Sequence, residues 1–456
     1  MAKGDKSSPL VFYSAEWNCG MRRQNNTIDL QRLKEELDDL NEWESYSCTL
    51  VTPMYGGGVE AGKVDTAMPI RASAIRGQLR FWWRIACGPF DDPKVMRENE
   101  EAMWGGISDK AKASRVEIRI TNVKFNGEVP AFEYEIHRKD PSKYNSVPKP
   151  DPKFGHAYAL FSAQGKLIDR GTKIGEEPKK IAKPDLCFDL EIRYKIYDKK
   201  PLSQEQISEV NEAIRWWASF GGIGSRTRRG LGAVDVKNSD IKPVSADEVA
   251  LKGGILTLVS KEERSDALAC WKYGCDKLRD FRQALEVGRN LPSNNSKSPV
   301  GRSRWPEANS IRNLANTHSK KHPPDDVKTN FFPRAVFGLP IIFHYQQDQG
   351  PGQEPDDHTL TVADVDKERM ASPLIIRSYL DLNDKWHSAA LLLPYWREAL
   401  AQSLELSPKP KKINVKPMHW SSSPEQQKML ADKDKPMNGR GDDPLSAFLD
   451  YFKQGQ

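Results

Sequence analysis

Residues 187–237 read CFDLEIRYKIYDKKPLSQEQISEVNEAIRWWASFGGIGSRTRRGLGAVDVK, and four elements follow one another in that stretch. Phe188, Leu190, Ile192, Tyr194 and Ile196 alternate with Asp189, Glu191, Arg193 and Lys195, the period of a strand with one face in a core. Ser203 and Gln206 then form a capping box, and Ile207, Val210, Ile214 and Trp217 give the helix behind it an apolar stripe. The loop Gly221 to Val234 holds five glycines and three arginines, and LGAVDVK closes as a strand.

Upstream, SRVEIRITNV (114–123) alternates Val116, Ile118 and Ile120 against Arg115, Glu117 and Arg119, which predicts another half-buried strand. RASAIRGQLRFWWRIAC (71–87) puts Ile75, Leu79, Trp82, Trp83 and Ala86 on one helical face, and YSCTLVTPM (46–54) is β-rich. The order is β, α, β, β, α, β, the split βαβ pattern of a ferredoxin-like domain, with an insertion between its second and third strands. Before it, Ile28, Leu30, Leu33, Leu37 and Leu40 predict one amphipathic helix.

From about Gly253 the pattern is harder to follow. GGILTLV suggests a strand and residues 262–287 a helix. Residues 289–334 form a polar, basic interval with few apolar anchors. AVFGLPIIFHY, HTLTVAD, SPLIIRSYL and SAALLLPYW suggest strands, and DDPLSAFLDYF a capped final helix, so a second α+β domain is expected here.

The 456 residues carry 69 Lys and Arg against 63 Asp and Glu, a net charge of +6. Nucleic-acid binding must therefore come from local clusters of basic residues. Six scattered cysteines and the lack of a secretory hydrophobic segment point to a reducing, cytoplasmic setting. No apolar run is long enough to span a bilayer.

The glycine loop follows a helix C-terminus, whose dipole end is negative. Arg226, Arg228 and Arg229 would have to supply any attraction for phosphate. No Lys-Ser/Thr ending is present as in a mononucleotide loop, so a polyanion crossing the loop fits better; a solvated turn is the plain alternative. Arg76, Arg80 and Arg84 form an i, i+4, i+8 stripe beside Gly77, and LRFWWRIA contains no acid to pair with them. The tryptophan pairs 82–83 and 216–217 fall on the apolar stripes and read as core. In GRSRWPEANSIRN, Arg302, Arg304 and Arg312 surround Trp305, with Lys320 and Lys321 beyond, a pattern suited to single-stranded nucleic acid or to a solvated loop. His318 and His322 lack a third ligand, Cys270 and Cys275 read as core, and the Asp442/Asp443 pair reads as a helix cap. The residues imply no cofactor, no metal and no assembled catalytic constellation.

The combination TPMYGGG, IRASAIRGQLRFWWR, MWGG, GGIGSRTRRGLGAV, GRSRWPEANSIR, FPRAVFGLPI and RMASPLIIRSY resembles the CRISPR-associated RAMP proteins, most nearly the first-numbered Cmr subunit of type III-B effector complexes. The resemblance implies an α+β protein of two ferredoxin-like (RRM-like, βαββαβ) domains with large insertions. Residues 1–45 would be an N-terminal extension, 46–250 the first domain and 251–456 the second. It implies a non-catalytic subunit in antiviral defence that holds the 3′ region of CRISPR RNA, with target RNA and other Cmr subunits as partners. The RNA-facing residues it implies are Arg71, Arg76, Arg80 and Arg84, with Gly222, Gly224, Ser225, Arg226, Arg228, Arg229, Gly230 and Gly232. Two rival functions remain. One is a repeat-processing endoribonuclease using His137 or His156 as its base; the other is a protein-only scaffold.

Overall fold

Strand β3 (Cys187–Tyr194) buries Phe188, Leu190, Ile192 and Tyr194, as its alternation requires. It pairs antiparallel on one side with β1 (Glu44–Leu50), where Cys48 faces Phe188. On the other side it pairs with β2 (Val116–Lys124), where Ile118 faces Ile192. The strand β4 (Val234–Lys237) adds to the free edge of β1, giving a four-stranded antiparallel sheet in the order β4-β1-β3-β2. Between β1 and β2 runs α1 (Ala72–Ala86), and between β3 and β4 runs α3 (Gln204–Phe220). The capping box at Ser203 is formed in both directions, with Gln206 N donating to Ser203 Oγ and Ser203 N to Gln206 Oε1.

This computed structural model describes residues 43–454 except 108–110, 197–200, 239–240, 260–265, 292–301, 321, 325–331, 346–351, 364–368, 401, 409–427, 429, 433–434 and 441–442. The helix expected over 28–40, Lys321 and Asp442 lie outside the described residues, which belong to one unit, Trp43–Gln456. One further helix, α2 (Pro93–Trp104), separates α1 from β2 and was not anticipated. Asp92 caps it by accepting from Lys94 N and Val95 N, and Pro93 fits its first turn.

Trp82, Trp83, Trp216 and Trp217 are all buried under the sheet, as their place on the stripes predicts. The other face of the sheet is polar. Arg193 and Lys195 pair with Glu117, Arg119 pairs with Glu191, and the Trp43 ring lies between the Arg119 and Arg193 guanidinium groups, 4.2 and 4.5 Å away. Trp43 is thus sandwiched between two guanidinium groups on a face of matched charges.

In the second half, β5 (Ile255–Leu258), α4 (Ala267–Gln283), β6 (Leu374–Leu380) and β7 (Trp386–Leu392) follow in chain order. Their sheet is ordered β5-β7-β6, the arrangement that β1, β3 and β2 have in the first half. A separate antiparallel sheet joins Ile341–Phe343, His358–Val362 and Leu404–Ser407. The last helix, α5 (Pro444–Lys453), is capped by Asp443. The interval 289–334 departs from its expected loop character. It contains the helix Glu307–Ala315, with Ile311 and Leu314 buried beside Trp305.

Both faces of the β5-β7-β6 sheet are covered. Ile375, Tyr379, Ala389 and Leu391 enter the core beneath α1 and α3. Leu374, Ile376, Ala390 and Leu392 enter the core formed with Trp271, Phe281 and Phe448. A strand buried on both sides reads as a continuous apolar run, which is why LLLPYW and PLIIR lack alternation.

Candidate nucleic-acid interface

The glycine loop 221–234 begins where α3 ends. Its first task is structural. Gly232 has φ +68°, and a Cβ there would lie 1.8 Å from the Ile223 carbonyl oxygen, so the two strands of the loop can cross only at glycine. Ile223 N donates to Gly232 O at 2.8 Å, and Gly232 N to Pro53 O at 2.8 Å. Gly222 is buried in the same crossing, Gly230 is buried against Trp271 and Ile376, and Gly224 lies against Tyr55 and Met54. Ser225 N donates to Tyr55 O at 2.6 Å.

The three loop arginines have different surroundings. Arg226, with φ +60°, is exposed and donates from Nε to Ser162 Oγ at 3.0 Å and from Nη1 to the Ala159 carbonyl at 3.1 Å. Arg229 turns inward and donates to the Phe337 carbonyl at 2.9 Å, while its own carbonyl accepts from Trp271 Nε1 at 2.8 Å. Arg228 lies 5.6 Å from the Phe81 ring of α1, and its Nε has no hydrogen-bond partner among the described residues. Burial lowers the Arg228 pKa, and the neighbouring Arg229 charge lowers it further. A cation so placed gains most from an incoming anion.

The stripe on α1 is partly neutralised, which corrects the expectation that it lacks acids. Glu100 of α2 is buried and accepts from Arg80 Nε at 2.6 Å and from Arg84 Nη1 at 3.0 Å. Arg71 pairs with Asp65 at 3.1 Å. Arg76 is the exception, since its buried Nε has no partner among the described residues. Beside it Gly77 is exposed, and nothing lies within 4 Å of where its Cβ would be.

The described residues therefore bring together part of the predicted set. A cleft of about 220 Å³ is lined by Gly57, Gly58, Ala74, Gln78, Gly224 and Ser225, with Glu60 at its side. It lies between the α1 face and the glycine loop. The second-half candidates are elsewhere. Trp305 is buried, donates Nε1 to the Arg282 carbonyl at 3.1 Å and packs on Phe281, so no base can stack on it. Arg302 is held by Asn309 Oδ1 at 2.6 Å and the Pro323 carbonyl at 2.9 Å, and Arg304 by Asn290 and the Glu286 carbonyl.

The histidines are also engaged. His156 Nδ1 accepts from Ala159 N at 3.2 Å, which leaves Nε2 to donate to Asp276 at 3.1 Å. His137 Nδ1 accepts from Asp140 N at 3.1 Å. His322 lies 2.9 Å from Glu354, a carboxylate that Arg312 and Ser319 also hold. Among the described residues there is no cluster of three or more metal-ligating side chains. Cys270 and Cys275 are buried core thiols that form no disulfide among the described residues.

Residues 47–235 match the family model of the RAMP superfamily. This part of the chain is similar to the RAMP superfamily. It spans β1 to β4 and includes the glycine loop and the α1 stripe. Among solved structures, the chain is similar to apo Cmr1 from Pyrococcus furiosus, with 14% identity over 82% of this chain and 92% of that one and a TM-score of 0.37. It is also similar to a chain of the Type III-B Cmr-beta structure bound to cognate target RNA and AMPPnP, with 11% identity over 90% and 98% of the chains and a TM-score of 0.37. No curated protein matches the sequence. Among the described residues, no helix is long and apolar enough to cross a membrane.

Three residues that shape the candidate site were missed from sequence. Glu100 sits on a helix whose start was signalled by Asp92-Pro93 and whose end was signalled by Gly105. Ser162 and Tyr55 anchor the loop from the insertion and from the short strand Met54–Tyr55 that follows β1, and no local pattern joins residues so far apart.

Proposed function

We propose that this chain is a non-catalytic RNA-binding subunit of a type III-B CRISPR ribonucleoprotein. Its RAMP domain, ferredoxin-like in strand order, holds the 3′ region of CRISPR RNA. The motif set supports the type III-B assignment. The observation that carries RNA binding is the glycine-lined cleft between α1 and the glycine loop, together with Arg76 on the α1 stripe and Arg228 on the loop, each keeping an Nε without a partner among the described residues. Glycine-lined walls admit a sugar-phosphate backbone closely, and cations without internal partners supply the attraction. Other Cmr subunits and target RNA are the partners in this reading, in a cytoplasmic antiviral complex.

Purifying the tagged protein from its native cells under mild salt and sequencing the RNA that accompanies it tests the assignment. Mature CRISPR RNAs together with other Cmr subunits are the expected result. Unprocessed repeat precursors, or metal-free repeat cleavage lost in His137→Ala, would replace this reading with the endoribonuclease. Assembly without RNA would replace it with the protein-only scaffold.

A further inference from the structure

Phe161 begins a short 3-10 turn, Phe161–Ala163, in the insertion between β2 and β3. It is 68% exposed, although Ala159, Leu160 and Ala163 around it are fully buried. The turn is fastened on both sides. Ala163 N donates to the Leu160 carbonyl at 2.7 Å, the Ser162 carbonyl accepts from Tyr55 Oη at 3.4 Å, and Ser162 Oγ accepts from Arg226 Nε. A large apolar ring is thus held in solvent by a rigid support, next to an exposed guanidinium. Tyr55 also hydrogen-bonds Ser225 of the cleft wall, so the turn and the cleft share one anchor.

We infer that Phe161 stacks on a base of single-stranded RNA whose backbone passes Arg226 on its way to the cleft. This rests on the RNA-binding reading above and names the group that engages a base there. An aromatic face with a cation alongside is the recurring arrangement for holding single strands without sequence preference. A protein-docking patch would need contiguous apolar surface, whereas the residues following the turn are Gln164, Gly165 and Lys166.

The test uses the full chain and a short single-stranded RNA carrying a fluorescent adenine analogue whose emission is quenched by stacking. Phe161→Leu keeps apolar bulk without the aromatic face. It should weaken binding by roughly ten-fold and relieve the quenching, with the salt dependence unchanged because no phosphate contact is lost. Phe161→Trp should restore both. Wild-type affinity and quenching in Phe161→Leu would overturn the inference and leave the cleft reading standing, as would a Phe161→Leu defect confined to binding another protein. No RNA binding by the unaltered chain would overturn the cleft reading and the inference with it.

Discussion

Arginines with internal partners and arginines without them answer differently to substitution. Arg226 and Arg229 satisfy carbonyls of Ala159 and Phe337, so removing either disturbs the fold as well as any ligand. Among the described residues Arg228 satisfies no carbonyl and only packs on the Phe81 ring. Arg228→Ala should leave urea unfolding almost unchanged while reducing the slope of log affinity for single-stranded RNA against log salt by about 0.7, the value for one phosphate contact. An unchanged slope would remove Arg228 from the interface. Glu354 provides a second test at this scale. Burial acts to raise its pKa, but hydrogen bonds from Ser319, Arg312 and His322 and the Arg312 charge outweigh that and hold it below its ordinary 4.5. A carboxylate with a depressed folded pKa contributes stability that is present above 4.5 and is lost as pH falls through the folded value. Glu354→Gln should therefore lower stability at pH 7 and make it less sensitive to acid, measured by urea unfolding at several pH values. The sequence showed charge clusters at both places. It did not show which charges were already paired, because Glu100 and Glu354 arrive from distant segments.

Local pattern was most informative for single elements. The faces of α1, α3 and β3 follow directly from period, because each buries one side against a single core. The interval 289–334 did not, because Trp305, Ile311 and Leu314 are few and separated by charges, yet each is buried. Gly77 is the element-scale anomaly. It sits within α1 with open space where a side chain would be, so the protein's own packing gives no reason for it. Gly77→Ala should stabilise the chain by about 0.5–1 kcal/mol, from reduced backbone freedom in the unfolded state, detectable as a higher thermal midpoint. If an RNA backbone passes there, a bulky Gly77→Phe change should preserve the fold and weaken RNA binding. Equal RNA binding by that variant would mean that the approach lies elsewhere.

At the scale of the whole molecule, the join between the halves is polar as well as apolar. Arg377 of β6 is buried and donates to the carbonyls of Ala218 and Gly221 at the end of α3 and of Val234 in β4. Burial pushes its guanidinium down to about 9, so the charge is poorly solvated yet still present at neutral pH. One side chain thus closes the C-terminal end of a helix from the other half of the chain, where the dipole favours a cation. Arg377→Ala would leave those carbonyls buried without donors and should cost about 3 kcal/mol or more, read from urea unfolding, with Arg377→Lys intermediate. The motif RMASPLIIRSY revealed an arginine in an apolar strand. Its targets were invisible, since they lie some 140 to 160 positions earlier in the chain.

The sheet covered on both faces also sets an order of events during synthesis. The core beneath α1 and α3 takes side chains from as late as Leu393, whereas the last strand of the four-stranded sheet ends at Lys237. At ribosomal rates of about 5–20 residues per second, that interval leaves an apolar face uncovered for roughly ten to thirty seconds. A nascent chain in that state is a client for chaperones, and slowing translation after Lys237 should raise its tendency to aggregate.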